Sequence, residues 1–225
     1  MNENRLQKRI NLVRRDLGNL LFHFTRKPDS KVEIKNDKYN RTLPQSALSV
    51  LEKILSDGSL KGSSNNIRGG FKCICFTESP ISELASLFSL INIAESLDDK
   101  TRYEPYGVAV KKEWLFSKGG RPVIYQPESD FKLLPDKLKY RHVRYEPDQG
   151  IDYTWEREWR IKVEHLNLNP KETLVVVPDA ESAFDLVYQH SNVELDYDNE
   201  PIPQGSYHVA KWMAVSLDLF GFKVE

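Results

Sequence analysis

Two carboxylates stand one residue apart in YTWEREWRIKV, the stretch from Tyr153 to Val163. Read as a strand, it sends Trp155, Arg157, Trp159, Ile161 and Val163 one way and Glu156, Glu158, Arg160 and Lys162 the other. A same-face carboxylate pair can support positive charge developing on a sugar and take a proton from an attacking group. Glycosidic-bond chemistry makes both demands, because its transition state resembles an oxocarbenium ion. The spacing alone fits equally well a solvent-facing strand with local Glu, Arg and Lys pairs. The two Trp residues favour a central strand, whose outer face can floor a cleft.

Three other groups have side chains suited to binding. His23 lies in the aromatic run LLFHFT (20–25), and Thr25, two residues on, shares its strand face. A strand fixes such a side chain well enough to hydrogen-bond a ribose or an amide. CFTESP (75–80) reads as a strand-to-helix junction, where Thr77 and Ser79 offer hydroxyls to a phosphate or simply cap the helix. Arg68 sits in the Gly-flanked loop NNIRGG, where its fork would suit a phosphate or base edge if the loop faces a pocket. No Walker loop, GxGxxG, nucleophile elbow or zinc-ligand spacing is present.

The elements that position these residues follow from periodicity and punctuation. Residues 3–17 read as an N-terminal helix, with Leu6, Ile10, Val13 and Leu17 at helical spacing and a basic outer face. Residues 26–44 read as an exposed loop. Residues 46–60 form a helix capped by Ser46 and ended by Gly58. A strand over 71–77 and a helix over 79–94 follow. Strands are expected at 106–114, 122–126, 155–163, 172–178 and 209–217, with a helix from about Asp179 to Gln189. A long charged loop is expected over 128–150. Helices early and strands late, without repeated βαβ units, predict an α+β domain with a largely antiparallel sheet over 1–225.

The composition narrows the class. The chain has 225 residues, 40% hydrophobic and 29% charged, enough apolar mass for a core. Its net charge of −1 provides no global field toward nucleic acid or anionic lipid. The only cysteines, Cys73 and Cys75, read as reduced buried thiols. No run approaches the ~18 apolar residues of a membrane span. The charged N-terminus lacks a signal-peptide core. A cytoplasmic protein without membrane contact is expected.

In order, FHFT, LSVLEKILSDGSL, CFTESP, YGVAVKKEW, PVIY and EREWRI resemble the AbiGi-type abortive phage-resistance family, from about residue 21 to 162. The beginning is also similar to DarT-like nucleic-acid ADP-ribosyltransferases. These open with a His-x-Thr strand and a helix whose pattern Leu51, Ile54, Leu55 and Gly58 fit, with Ser59 before Leu60. The resemblance implies an ADP-ribosyltransferase-like fold, with split antiparallel β-sheets around an NAD cleft and flanking helices. It implies that His23 bonds the nicotinamide-side ribose with Thr25 beside it, and that Thr77 and Ser79 line the pocket. Glu158 becomes the catalytic glutamate, Glu156 its same-face partner toward the acceptor, and Arg68 the arginine before the second motif. This assignment requires His23 and Glu158 to face one cleft. NAD is then a substrate and the acceptor a nucleic-acid base. KLKYRHVR (137–144) is available for phosphates, and Tyr140 and Tyr145 for stacking. An antitoxin is a possible protein partner. A protein ADP-ribosyltransferase, an NAD glycohydrolase, and a non-catalytic antitoxin or sensor module on the same fold are the alternatives.

Overall fold

The computed structural model describes residues 18–26, 34–36, 41–43, 46–94, 104–196 and 205–223. The expected helix over 3–17 and most of the 26–44 loop lie outside these residues. The chain gathers into two compact units. The first takes the stretch ending at His23 together with Leu60–Leu84 and Val110–Leu166. The second takes Phe24–Ser59, Ala85–Ala109 and the stretch from Asn167 onward.

Sheet order in the first unit runs β1 (Leu20–Phe24), β5 (Ile74–Thr77), β10 (Glu158–Ile161), β7 (Arg121–Pro122), with each neighbouring pair antiparallel. In β5 and β10 the residues Ile74, Phe76, Trp159 and Ile161 are buried, so one face of this ladder is core. A short β8 (Ile124–Gln126) pairs in parallel with β9 (His142–Arg144). Gly62, just after β4 (Ser59–Lys61), donates to Glu164 O at 2.8 Å. A Cβ there would lie 2.1 Å from Val163 O. Backbone cannot yield as a flexible side chain can, so Gly62→Ala is expected to destabilise the protein by at least the ~1–3 kcal/mol of an overpacked site, read from its urea midpoint.

The second unit holds α1 (Ala47–Asp57), which follows the sequence closely. Ser46 accepts from Ser49 N and Ser49 answers to Ser46 N, a reciprocal cap. Gly58, at φ 63°, closes the helix in the left-handed conformation that glycine adopts freely. Most of α2 (Ile81–Ala94) also belongs here, with Phe88 edge-on to Phe24. Strand order is β6 (Gly107–Lys111), β12 (Thr173–Val177), β15 (Met213–Ser216). Asp179 caps α4 (Ala180–Gln189), which packs on β12 and β15. A hairpin of β13 (Asn192–Asp196) and β14 (Gly205–Val209) completes the unit. Within the stretch 26–44, expected to be a loop, β2 (Ile34–Asn36) and β3 (Arg41–Leu43) pair antiparallel.

The α+β class is correct, but the sheets are mixed. β12 and β15 run parallel, because the chain between them includes α4 and returns in the same direction. Other expectations change as well. Strand β6 stops at Lys111, and Lys112–Ser117 form a helical turn, α3. Two consecutive glycines end it: Gly119 N bonds Phe116 O and Gly120 N bonds Leu115 O, with Gly119 at φ 102°. The charged loop over 128–150 is ordered locally by 3₁₀ turns at Glu128–Leu133, Lys139–Arg141 and Pro147–Gln149 and by β9. Finally, the expected strand over 155–163 exists only as β10.

Candidate functional site

The shortening of β10 decides where its carboxylates point. Asp152 Oδ1 accepts from Thr154 N at 2.9 Å and Thr154 Oγ1 at 2.6 Å, a local side-chain bond that competes with extended backbone. These bonds hold the Asp152 carboxyl below the usual range. Thr154–Glu156 then make a 3₁₀ turn, and Arg157 takes a left-handed conformation at φ 44°. Thr77 Oγ1 donates to Glu156 O at 2.5 Å, and Ser79 Oγ donates to Trp155 O at 2.7 Å. The CFTESP hydroxyls therefore pin this turn. Glu156 is buried in the turn, so it does not share a strand face with Glu158. Trp155 is 49% exposed instead of packing beside Trp159.

Register fixes the rest. Glu158 pairs with Thr77, Trp159 with Phe76, and Arg160 with Cys75. Directly paired residues share a face, so Glu158, Arg160, Thr77 and Cys75 stand together. Phe22 pairs with Thr77, which turns His23 to the other side. There its ring lies 5.6 Å from that of Phe76. His23 and Glu158 consequently lie on opposite faces of the β1–β5–β10 ladder, and the shared placement implied by the resemblance is not met. Alternation within a single strand cannot reveal this, because the relative phase of two strands is set by their register.

His23 has its own chemistry. Nδ1 lies 2.8 Å from Cys75 O. A carbonyl only accepts, so Nδ1 carries the proton, and a neutral ring keeps Nε2 as an acceptor. Burial lowers the pKa below the ordinary 6.5, opposed by the bond to Cys75 O. The unfolded chain then binds this proton more readily than the folded one. Stability should be fullest above pH 6.5 and fall as pH drops below it. Melting curves from neutral to acidic pH should show a shallower acid-side loss in His23→Gln. On the same side of the ladder, Trp159 Nε1 donates to Glu78 Oε2 at 2.8 Å and Lys112 Nζ donates to Glu78 Oε1 at 2.6 Å.

The Glu158 carboxylate is held by a fork. Arg160 Nε donates to Oε1 at 2.7 Å and Nη2 to Oε2 at 3.1 Å. Arg160 Nη1 donates to Tyr140 O at 3.0 Å and His142 O at 2.9 Å. Burial works against the Arg160 charge, but attraction and hydrogen bonds from Glu158 raise its pKa overall. Burial and the nearby Glu158 carboxylate push the Cys75 thiol well above its usual range. Glu158 N donates to Tyr125 OH at 3.0 Å, and Tyr125 OH donates to Tyr153 O at 3.3 Å. Burial drives the Tyr125 pKa to about 12, with the Glu158 and Glu156 carboxylates adding to the rise. The phenol stays protonated and ties the turn to the first residue of β10. A carboxylate has about four lone-pair sites, so the two bonds of the fork leave room for a further donor.

The structure thus gathers Glu158, Glu156, Thr77 and Ser79 around one turn. Arg68 instead pairs with Glu128 and lies 4.3 Å over Phe131. Thr25, in the second unit, donates to Ala47 O and Tyr106 O. Within KLKYRHVR, Lys139 pairs with Asp136, Arg141 donates to Pro122 O, and Arg144 holds Glu146 and Gln149. Of the two cations that alternation sets beside Glu158, Arg160 and Lys162, Arg160 is the one that pairs with it. Tyr125 left no comparable signal, because its contact crosses 33 residues.

Among the described residues, no group of three or more His, Cys, Asp or Glu is placed to hold a metal ion. No helix among them is long and apolar enough to cross a membrane. No protein-family model matches the sequence, and no curated protein or solved structure matches it either.

Proposed function

We propose that this protein is an NAD-dependent ADP-ribosyltransferase of an anti-phage or toxin–antitoxin system, and that its acceptor is a nucleic-acid base. The observation that carries this reading is the fixed carboxylate of Glu158 at the start of β10, oriented by the Arg160 fork and anchored through its own N–H by Tyr125. The motif order from FHFT to EREWRI supplies the family context. Of the ribose contacts that the resemblance implies, Glu158 offers an acceptor on its face, while His23 lies on the other and is given no role in this step.

The chemistry asked of the site is modest. The bond from ribose C1′ to the nicotinamide nitrogen breaks, and nicotinamide leaves with the electron pair. Glu158 accepts a hydrogen bond from a ribose hydroxyl and supports the cationic ring. A lone pair on the acceptor base then forms the new C1′ bond, and any proton on the attacking atom is released. A preorganised charge near the cation is the main contribution of the protein chain.

A second reading, a non-catalytic module on the same fold, is favoured by one observation: the residues named for the ribose stand on opposite faces. Incubation with NAD labelled in the adenylate, followed by separation of DNA, RNA and protein pools, distinguishes these readings. Label in a nucleic-acid pool supports the proposal. Label only in protein moves the acceptor, label only in free ADP-ribose makes the protein a glycohydrolase, and unchanged NAD supports the non-catalytic module.

A further inference from the structure

The second unit presents an uncovered row of apolar side chains. Glu181, Phe184, Asp185 and Tyr188 follow helical spacing on one face of α4, while Leu186 is buried. The Phe184 and Tyr188 rings stack at 6.4 Å, and Tyr188 meets the His208 ring at 4.4 Å. His208 pairs across the hairpin with Val193, and Leu195 continues that face. Phe184, Tyr188, Val193 and Leu195 are each at least half exposed, and Phe184 reaches 72%. Isolated exposed apolar side chains need no explanation, but a connected row of them does.

The row is held rigidly. Ser191 Oγ donates to Tyr188 O at 2.7 Å, so its single hydrogen is committed. It must then accept from His208 Nδ1, 2.6 Å away, which bonds the end of α4 to β14. A two-stranded hairpin with both faces open is marginal alone, and this tie gives it a fixed surface.

Charge indicates what the row fits. From Asp179 to Asp196 the sequence has five Asp or Glu and no Lys or Arg. Glu181 and Asp185 flank the aromatic pair on the same helix face. A second copy docking here face to face would set this acidic rim against itself. A cationic partner would instead satisfy it, and aromatic faces attract Arg and Lys in addition. We propose that this face docks a cationic amphipathic helix of another protein, its apolar stripe on the Phe184–Tyr188–Val193–Leu195 row and its Lys and Arg along the acidic rim. This docking surface is independent of the Glu158 chemistry.

Fluorescence anisotropy with a labelled synthetic helix tests it. The probe carries Leu at helical spacing flanked by Lys and Arg. It should bind the full chain, and Phe184→Ser or Tyr188→Ser should each weaken binding about tenfold or more. Glu181→Gln with Asp185→Asn should flatten the salt dependence. All these side chains are at the surface, so thermal melts should match the wild type. The proposal is overturned if the serine variants bind as well as wild type, or if a probe with Glu in place of Lys and Arg binds equally. It is also overturned if the wild type is a dimer that Phe184→Ser dissociates, which assigns the face to a second copy. Failure of the wild type to bind overturns it too, and protection of Tyr188 from solvent labelling would then assign the cover to another part of this chain.

Discussion

Changing Glu158 to Gln is expected to lower NAD turnover by about 10²–10³-fold, the usual consequence of removing one preorganised group that supports transition-state charge. Gln keeps the length of the side chain and one oxygen to accept from Arg160 Nε, but it offers an amide where Arg160 Nη2 now donates to Oε2. The loss should fall on kcat more than on KM, because in the proposed reaction the carboxylate acts mainly when the ring becomes cationic. Steady-state release of nicotinamide, measured well below the melting temperature of the variant, gives this split. A change confined to KM would make Glu158 a binding residue. Glu156→Gln provides the contrast. Its carboxylate is buried in the 154–156 turn, so the expected effect is on folding of the turn.

Arg160→Met is expected to destabilise the protein by about 3–5 kcal/mol, the range for breaking a buried ion pair from one side. The guanidinium is almost fully buried, and its removal leaves Glu158 without its counter-charge. Two carbonyls, Tyr140 O and His142 O, lose their donor in the same step. The double change Glu158→Leu with Arg160→Met removes the uncompensated charge and should recover part of the loss. Recovery should be incomplete, since the two carbonyls remain without that donor. Urea midpoints for the three proteins test this. Equal stability of Arg160→Met and wild type would mean that the fork does not hold the site together.

How much was legible beforehand varies by element. Helix α1 was readable nearly to the residue, because Ser46 and Gly58 mark its ends and Leu51 and Leu55 keep its buried stripe. α4 was similar, with Asp179 as its cap. These signals are local in sequence. β10 is shorter than its alternation implies, because hydroxyls that hold residues 154–156 in a turn come from Thr77 and Ser79, far away in the chain. Alternation placed Glu158 and Arg160 on one face, and that pairing exists. It also placed Glu156 there, and one left-handed residue, Arg157, undoes the phase. The separation of His23 from Glu158 depends on two registers, Phe22 with Thr77 and Thr77 with Glu158, that no single strand encodes.

Those registers also set the most direct measurement. A crystal structure of the protein with an NAD analogue whose nicotinamide ribose oxygen is replaced by carbon would trap a ligand that cannot form the oxocarbenium ion. The expected result places a hydroxyl of that ring within about 2.6–3.2 Å of the Glu158 carboxylate, on the face shared with Thr77 and Cys75. A ligand lying against His23 and Phe76 on the opposite face would contradict the assignment of Glu158 to the chemistry.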